Sequence, residues 1–197
     1  FTSSWFYDTQ LLNPDIFICM ALAAEKTSRI RLGTGVLIPS NRIEPVTANA
    51  LATLNRIAPG RVDFGVGTGF TARRTMGLKA IPLSKMKRYI ERVQELLRGN
   101  LIEWDFESEN RKIGFLNPDI GLINLEDPIA LHISAMGPKS RRLVAEVGAG
   151  WLNFGSDLES LIRDAEDIKS HWQHLQGPQI KMKNTLFFLG AVLGEDQ

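Results

Sequence analysis

The sequence predicts an α/β fold of parallel strands, a (β/α)8 TIM barrel present in part. Three observations point there. Strand-like and helix-like segments alternate strictly along the 197 residues, which makes the strands parallel with right-handed helical crossovers. The strands "RIRLGTG" (29–35) and "RVDFGVG" (61–67) keep their large apolar residues on one face. The other face carries Arg29, Arg31, Gly33 and Gly35, or Asp63, Gly65 and Gly67. A doubly wound open sheet is the competing architecture, but its central strands are covered by helices on both faces and are apolar on both. A barrel strand instead turns one face to a crowded axis. Finally, about six strands are visible where a whole barrel takes about 250 residues. One β/α unit is therefore expected ahead of Phe1 and a closing unit beyond Gln197.

The elements follow in order. Residues 3–7, "SSWFY", form a short aromatic strand. "NPDIFICMALAAEKTS" is a helix with Asn13 as N-cap, Pro14 at the first helical position, and Phe17, Met20, Ala21 and Ala24 on one face. "RIRLGTGVLIP" is a strand with Ile30, Leu32, Val36 and Ile38 at period two. "PVTANALATLNRI" is a helix with a stripe of Val46, Ala50, Leu54 and Ile57, stopped by Pro59-Gly60. The strand in 61–67 follows, then a helix over 83–98 ending at Gly99. Residues 100–127 break the rhythm with a short alternating piece around Trp104 and Phe106, and are expected to be an excursion or lid over the barrel mouth of a single domain. "PIALHISA" is a strand, "PKSRRLVAEVG" a helix and "GWLNF" a strand. Ser156 and Glu159 form a capping-box pair ahead of Leu158, Leu161, Ile162, Ala165, Ile168 and Trp172 at helical spacing. "NTLFFLGAVL" is the last strand.

Composition narrows the function classes. Hydrophobic residues make up 44% and the net charge is +1, with no basic cluster of the kind a nucleic-acid or membrane surface needs. No apolar run reaches about 18 residues, so no membrane span is predicted. The single cysteine, Cys19, excludes an internal disulfide, fits a cytoplasmic protein and is expected to be a buried inert thiol. Three histidines and one cysteine lack metal-ligand spacing, and no G-x-S-x-G nucleophile motif is present.

Two "GTG" turns, at 33–35 and 67–69, follow neighbouring strands. Such a repeat suggests two cleared walls on one rim, against which a flat ring would lie; crowding relief within the barrel is the alternative. The spacing G-x-G-x-G is not the dinucleotide fingerprint. "SAMGPKSRR" opens a helix with Gly137 and Pro138, so its free N–H groups make a phosphate site, with Lys139, Arg141 and Arg142 nearby. Arg73 and Arg74 follow the second turn and suit a phosphate or an acidic substrate. His132 shares a strand face with Ser134; His171 and His174 sit on a polar helix end.

Together, "TSRIRLGTGVLIP", "ATLNRIAPGRVDFGVGTG" and "HISAMGPKSRRLVAEVGAGWLNF" resemble the luciferase-like monooxygenase family, flavin- or deazaflavin-dependent (β/α)8 barrels, from about Trp5 to about Leu193. The resemblance implies an oxidoreductase that uses FMN or coenzyme F420 at the C-terminal mouth on a small organic substrate, by oxygen chemistry with FMN or hydride transfer with F420. A non-catalytic flavin-binding protein is the remaining alternative. It places Thr34, Gly35 and Val36 against the ring, with a bulge or an unusual peptide bond there. Gly67, Thr68 and Gly69 line the same pocket, Met136, Gly137 and nearby backbone hold the phosphate, and Ser134 is a further cofactor-binding residue. Asp8 matches a ring- or substrate-contacting acid, with Thr9 where such members often carry histidine. Asp8 and His132 are the catalytic candidates. Several deazaflavin-dependent dehydrogenases carry a glutamate proton donor directly after "GTG", where this chain has Phe70. A homodimer is expected from the same resemblance.

Overall fold

The computed structural model describes residues 1–154, 157–177, 179–181 and 184–186. The chain divides into two compact units, Phe1–Leu131 and His132–Gln197.

The first unit is built on three parallel strands, β1 (Ser3–Phe6), β2 (Arg31–Thr34) and β3 (Val62–Val66), in the spatial order β1-β2-β3. The register pairs Trp5 with Gly33 and Gly33 with Asp63, so these three residues share one face of the sheet. Every residue of β3 is buried, and so are the last three of β2. The polar residues of that face are paired. Arg31 grips the Asp63 carboxylate with two bonds of 2.8 and 2.7 Å and also donates to Gly60 O at 2.7 Å. The hydrogen bond to Asp63 holds the Arg31 guanidinium above its ordinary pKa.

β2 is shorter than its apolar alternation suggests. It stops at Thr34, and Leu37, fully buried, rejoins the sheet by a lone bridge to Val66. Helix α1 (Ile16–Lys26) is capped by Asp15, not Asn13: its carboxylate accepts the Phe17 and Ile18 N–H groups at 2.9 and 3.1 Å. Asn13 instead closes a turn onto Thr9 O. Both residue types cap well, but Asp15 also pairs with Arg42. Cys19 is half-buried rather than buried, lining a shallow pocket of about 200 Å³ with Trp5 and Ile16.

Helix α2 (Glu44–Ile57) buries a different face from the apolar stripe. Val46 and Ile57 are half exposed, while Thr47, Ala48, Leu51, Ala52, Leu54 and Asn55 are buried. Thr47 and Asn55 go inside because each has a partner. The Thr47 hydroxyl lies 2.5 Å from the Tyr89 phenol, whose pKa burial pushes up, so that it stays neutral and donates to Arg42 O at 3.0 Å. Asn55 donates to Asp127 O at 2.8 Å and accepts the Gly60 N–H at 3.1 Å. Asn55→Ala leaves both backbone groups unpaired, and we expect it to cost about 1–2 kcal/mol in urea unfolding.

The short helix α3 (Phe70–Arg74) and the longer α4 (Leu83–Leu97) complete the helical layer, with Met86, Ile90 and Val93 buried. Residues 100–127 contain an antiparallel hairpin, β4 (Ile102–Phe106) with β5 (Glu109–Ile113). Trp104 and Phe106 stack at 4.7 Å on one face of β4, as their spacing suggests. The hairpin is fastened to the helices: Trp104 donates to Glu44 at 3.1 Å, and Arg92 pairs with both Glu44 and Asp105.

The second unit carries three parallel strands in the order β6 (Ala130–Ser134), β7 (Gly150–Asn153) and β8 (Asn184–Leu186). Helix α5 (Pro138–Glu146) links β6 to β7, and α6 (Leu158–Leu175) follows β7. Its cap is Asp157, which accepts the Ser160 N–H at 2.9 Å. The expected cap Ser156 and the last strand beyond Leu186 lie outside the described residues. Leu161, Ile168 and Trp172 bury as their spacing suggests, whereas Leu158 and Ile162 are exposed.

Candidate active site

In a parallel α/β layer, the C-terminal strand ends and the loops leaving them form the rim on which sites are built. In the first unit these loops are residues 7–15, 35–43 and 67–82. Thr34 is fully buried, and its hydroxyl donates to Gly65 O at 2.6 Å and accepts the Gly65 N–H at 2.9 Å. The Gly35 N–H is taken by Phe6 O at 2.7 Å, and the Gly67 N–H by Leu37 O at 3.1 Å. These three groups are therefore part of the frame. The Gly35–Val36 peptide is cis, the unusual peptide bond that the resemblance places there. Among the described residues no acceptor takes the amide N–H of Val36, Thr68 or Gly69.

The idea of two cleared walls needs correcting at β2. A methyl on Gly33 would lie 2.4 Å from the Trp5 ring, and one on Gly35 would lie 2.8 Å from the Trp5 Cβ. The side-chain space given up by this strand is filled by Trp5, so here the glycines relieve crowding. The second turn is filled as well: a methyl on Gly69 would lie 2.6 Å from Ile38 Cγ2, and its φ of +78° itself favours glycine at the start of α3.

Asp8 ties the rim together. It is buried, its Oδ2 accepts the Ile38 N–H at 3.0 Å and its Oδ1 the Arg42 guanidinium at 3.1 Å. Arg42 continues to Asp15 and lies 5.0 Å over the Phe17 ring. Asn41 donates to Gln10 at 2.9 Å, and Gln10 donates to Ala72 O at 2.7 Å. All three loops are thus linked by side chains that binary patterning does not single out. The family resemblance singles out Asp8; for Gln10, Asn41 and Arg42 the one sequence signal is position, "DTQ" and "SNR" standing in the loops that leave β1 and β2.

Beyond Gly69, Phe70 is 64% exposed and the Arg74 guanidinium lies 4.5 Å over its ring. Arg73 is turned back onto Lys79 O, and Ile81 N–H donates to Thr68 O at 3.0 Å, so residues 68–81 form one closed loop.

In the second unit His132 is buried in β6, in register with Gly150. Ser134 ends the strand half-buried, and Met136 is exposed. Gly137 precedes α5 with open space on its side-chain face. The nearby cations are mostly committed. Arg141 bridges Asp164 and Asp167 at 2.8 and 2.6 Å and donates to Met136 O, and Arg142 pairs with Glu146. Lys139 alone of the three has no ion pair among the described residues.

A profile of the luciferase-like monooxygenase family matches residues 1–191. The chain belongs to that family. The 5,10-methylenetetrahydromethanopterin reductase of Archaeoglobus fulgidus is 31% identical over 157 residues, 77% of this chain and 44% of that protein. The F420-dependent glucose-6-phosphate dehydrogenase of Beutenbergia cavernae is 33% identical over 141 residues, 68% of this chain and 40% of the relative. The chain thus spans less than half the length of these curated relatives. The coenzyme F420 dependent tetrahydromethanopterin reductase of Methanopyrus kandleri superposes with a TM-score of 0.78 at 21% identity, covering 95% of this chain and 57% of that one. A Pseudomonas putida type II Baeyer–Villiger monooxygenase in complex with FMN gives 0.76 at 14%, covering 93% and 56%. These likenesses establish the fold class read from the sequence, a parallel α/β barrel present in part. No helix of the described residues is long and apolar enough to cross a membrane.

Proposed function

We propose that the protein is an oxidoreductase of the luciferase-like family that uses coenzyme F420 for hydride transfer with a small organic substrate. The observation that carries this reading is the rim of the first unit. The Val36, Thr68 and Gly69 N–H groups have no acceptor there, and the loops that bear them are locked by Asp8, Gln10 and Asn41. Fixed backbone donors suit the polar edge of a flat heterocycle, because they are aimed before the ligand arrives and need no reorganisation. Relatives named for F420 among the curated matches favour that cofactor over FMN.

The bound cofactor would supply the hydride chemistry. This chain's residues would place it and keep the loops in register. Asp8 has both carboxylate oxygens engaged by the protein, so its role in this reading is to brace the 35–43 loop rather than to move a proton. Phe70 stands where a glutamate donor would be and offers an apolar ring. That departure favours a substrate other than a sugar phosphate. Separately, the open start of α5 at Gly137 would offer its first N–H groups to a phosphate.

Titrating the full chain with F420 and, separately, FMN while following cofactor fluorescence tests the proposal. We expect F420 to bind in the low micromolar range, about −8 kcal/mol, and FMN about tenfold more weakly. Tighter binding of FMN, or binding of neither, would overturn it.

A further inference from the structure

The start of helix α2 is not held by a cap of its own. Its N-cap residue is Ile43, whose side chain cannot accept a hydrogen bond, and Pro45 in the first turn has no N–H to offer. Helix α4 supplies the grip instead, from two side chains about one turn apart. Arg92 pairs with the Glu44 carboxylate, and the Tyr89 phenol donates to Arg42 O at 3.0 Å. Among the described residues no backbone N–H donates to that carbonyl. A neutral phenol has a single proton. Once it is given to Arg42 O, the 2.5 Å contact with Thr47 must run the other way, the threonine hydroxyl donating to Tyr89. Thr47 is fully buried and Tyr89 nearly so, and water does not compete for these bonds.

We infer that Tyr89 is a positioning residue for the rim, acting through Arg42 and Asp8. The phenol fixes the Arg42 main chain, and the Arg42 guanidinium holds Asp8 Oδ1 at 3.1 Å. Asp8 Oδ2 in turn accepts the Ile38 N–H at 3.0 Å, in the 35–43 loop. Tyr89 itself stands in the middle of α4, outside the loops that form the rim. Every side chain in this series is buried or mostly covered, so a shift of the Arg42 main chain is passed along the bonds to the loop rather than taken up by solvent. The same anchor reaches the start of α1, because Arg42 also meets Asp15 and the Phe17 ring. The inference rests on the reading of this rim as the cofactor site, and it adds a residue remote from the rim on which cofactor affinity depends.

Tyr89→Phe keeps the ring and removes the donor to Arg42 O. Two readouts are taken on the full chain, below the unfolding transition. Site-resolved amide hydrogen exchange is expected to quicken about tenfold at Ile38 and by no more than about twofold in β3. F420 affinity, from cofactor fluorescence, is expected to fall about fivefold. Asn55→Ala controls for lost stability, because its bonds lie at the opposite end of β3, at Gly60 and Asp127. There the Ile38 amide should keep its rate relative to β3, and F420 should bind as it does to the parent. In an Asp8→Ala background, Tyr89→Phe should weaken F420 binding by no more than about a further twofold, since the route through Asp8 is already cut. An Ile38 rate that moves only in step with β3 overturns the proposal. So does an unchanged F420 affinity where the parent binds F420, or losses at Tyr89 and Asp8 that multiply in full. Should Tyr89→Phe not fold, Thr47→Val, which removes only the hydroxyl that orients the phenol, is read in the same way. Changes of about twofold are then expected, and a parent-like Ile38 rate overturns the proposal. If the parent binds no F420, the cofactor reading fails, and the exchange at Ile38 alone decides whether Tyr89 holds the loop.

Discussion

Asp8→Ala is expected to destabilise the protein by about 3 kcal/mol and to weaken F420 binding at least tenfold. The carboxylate is buried against Ile38 N–H and the Arg42 guanidinium, which is itself mostly covered. Removing it leaves a largely buried cation and a buried amide without partners, the case in which breaking one half of an ion pair costs about 3–5 kcal/mol. The lower end applies because Arg42 keeps Asp15 and the face of Phe17. Asp8→Asn retains an acceptor for Ile38 N–H but loses the charge, so it should recover about half of the stability. Urea unfolding measures the first effect, and cofactor fluorescence below the unfolding transition measures the second. If Asp8→Ala lowers stability but leaves F420 affinity unchanged, the 35–43 loop does not position the cofactor and the active-site reading of this rim loses its main support.

How much of this was legible in the sequence depends on the range of the interaction involved. The order of strands and helices is written locally: period-two runs at Val62–Val66 and the Gly99 stop of α4 need no knowledge of partners. The family motifs and their Gly-Thr-Gly turns fall at the ends of β2 and β3 for the same reason. What patterning missed was decided by contacts distant in sequence. Thr47 and Asn55 stand outside the apolar stripe of their helix, yet they are buried because Tyr89 and the 124–127 backbone complete their hydrogen bonds. The rim clasp of Asp8, Gln10, Asn41 and Arg42 joins residues about thirty apart; the family resemblance singles out Asp8, and no local rule selects the other three from other loop polars.

Gly33 is where the sequence pattern and the packing give different reasons for one residue, and an experiment separates them. Gly33→Ala puts a methyl 2.4 Å from a Trp5 ring carbon, well inside van der Waals contact, and should cost about 2–3 kcal/mol as the indole is forced aside. Trp5→Leu alone should also destabilise, by about 2 kcal/mol, through lost aromatic packing. If Gly33 is small because of the indole, the two losses overlap. The double variant should then be more stable than their sum predicts by at least about 1 kcal/mol. Gly35→Ala supplies the control, because its methyl meets the Trp5 Cβ at 2.8 Å, an atom that leucine keeps. Trp5→Leu should therefore rescue the variant at 33 and fail to rescue the one at 35. Additive losses at Gly33, measured by denaturant unfolding, would mean that the indole is not what the missing side chain accommodates. The first Gly-Thr-Gly would then have to be explained by something the sheet itself does not contain.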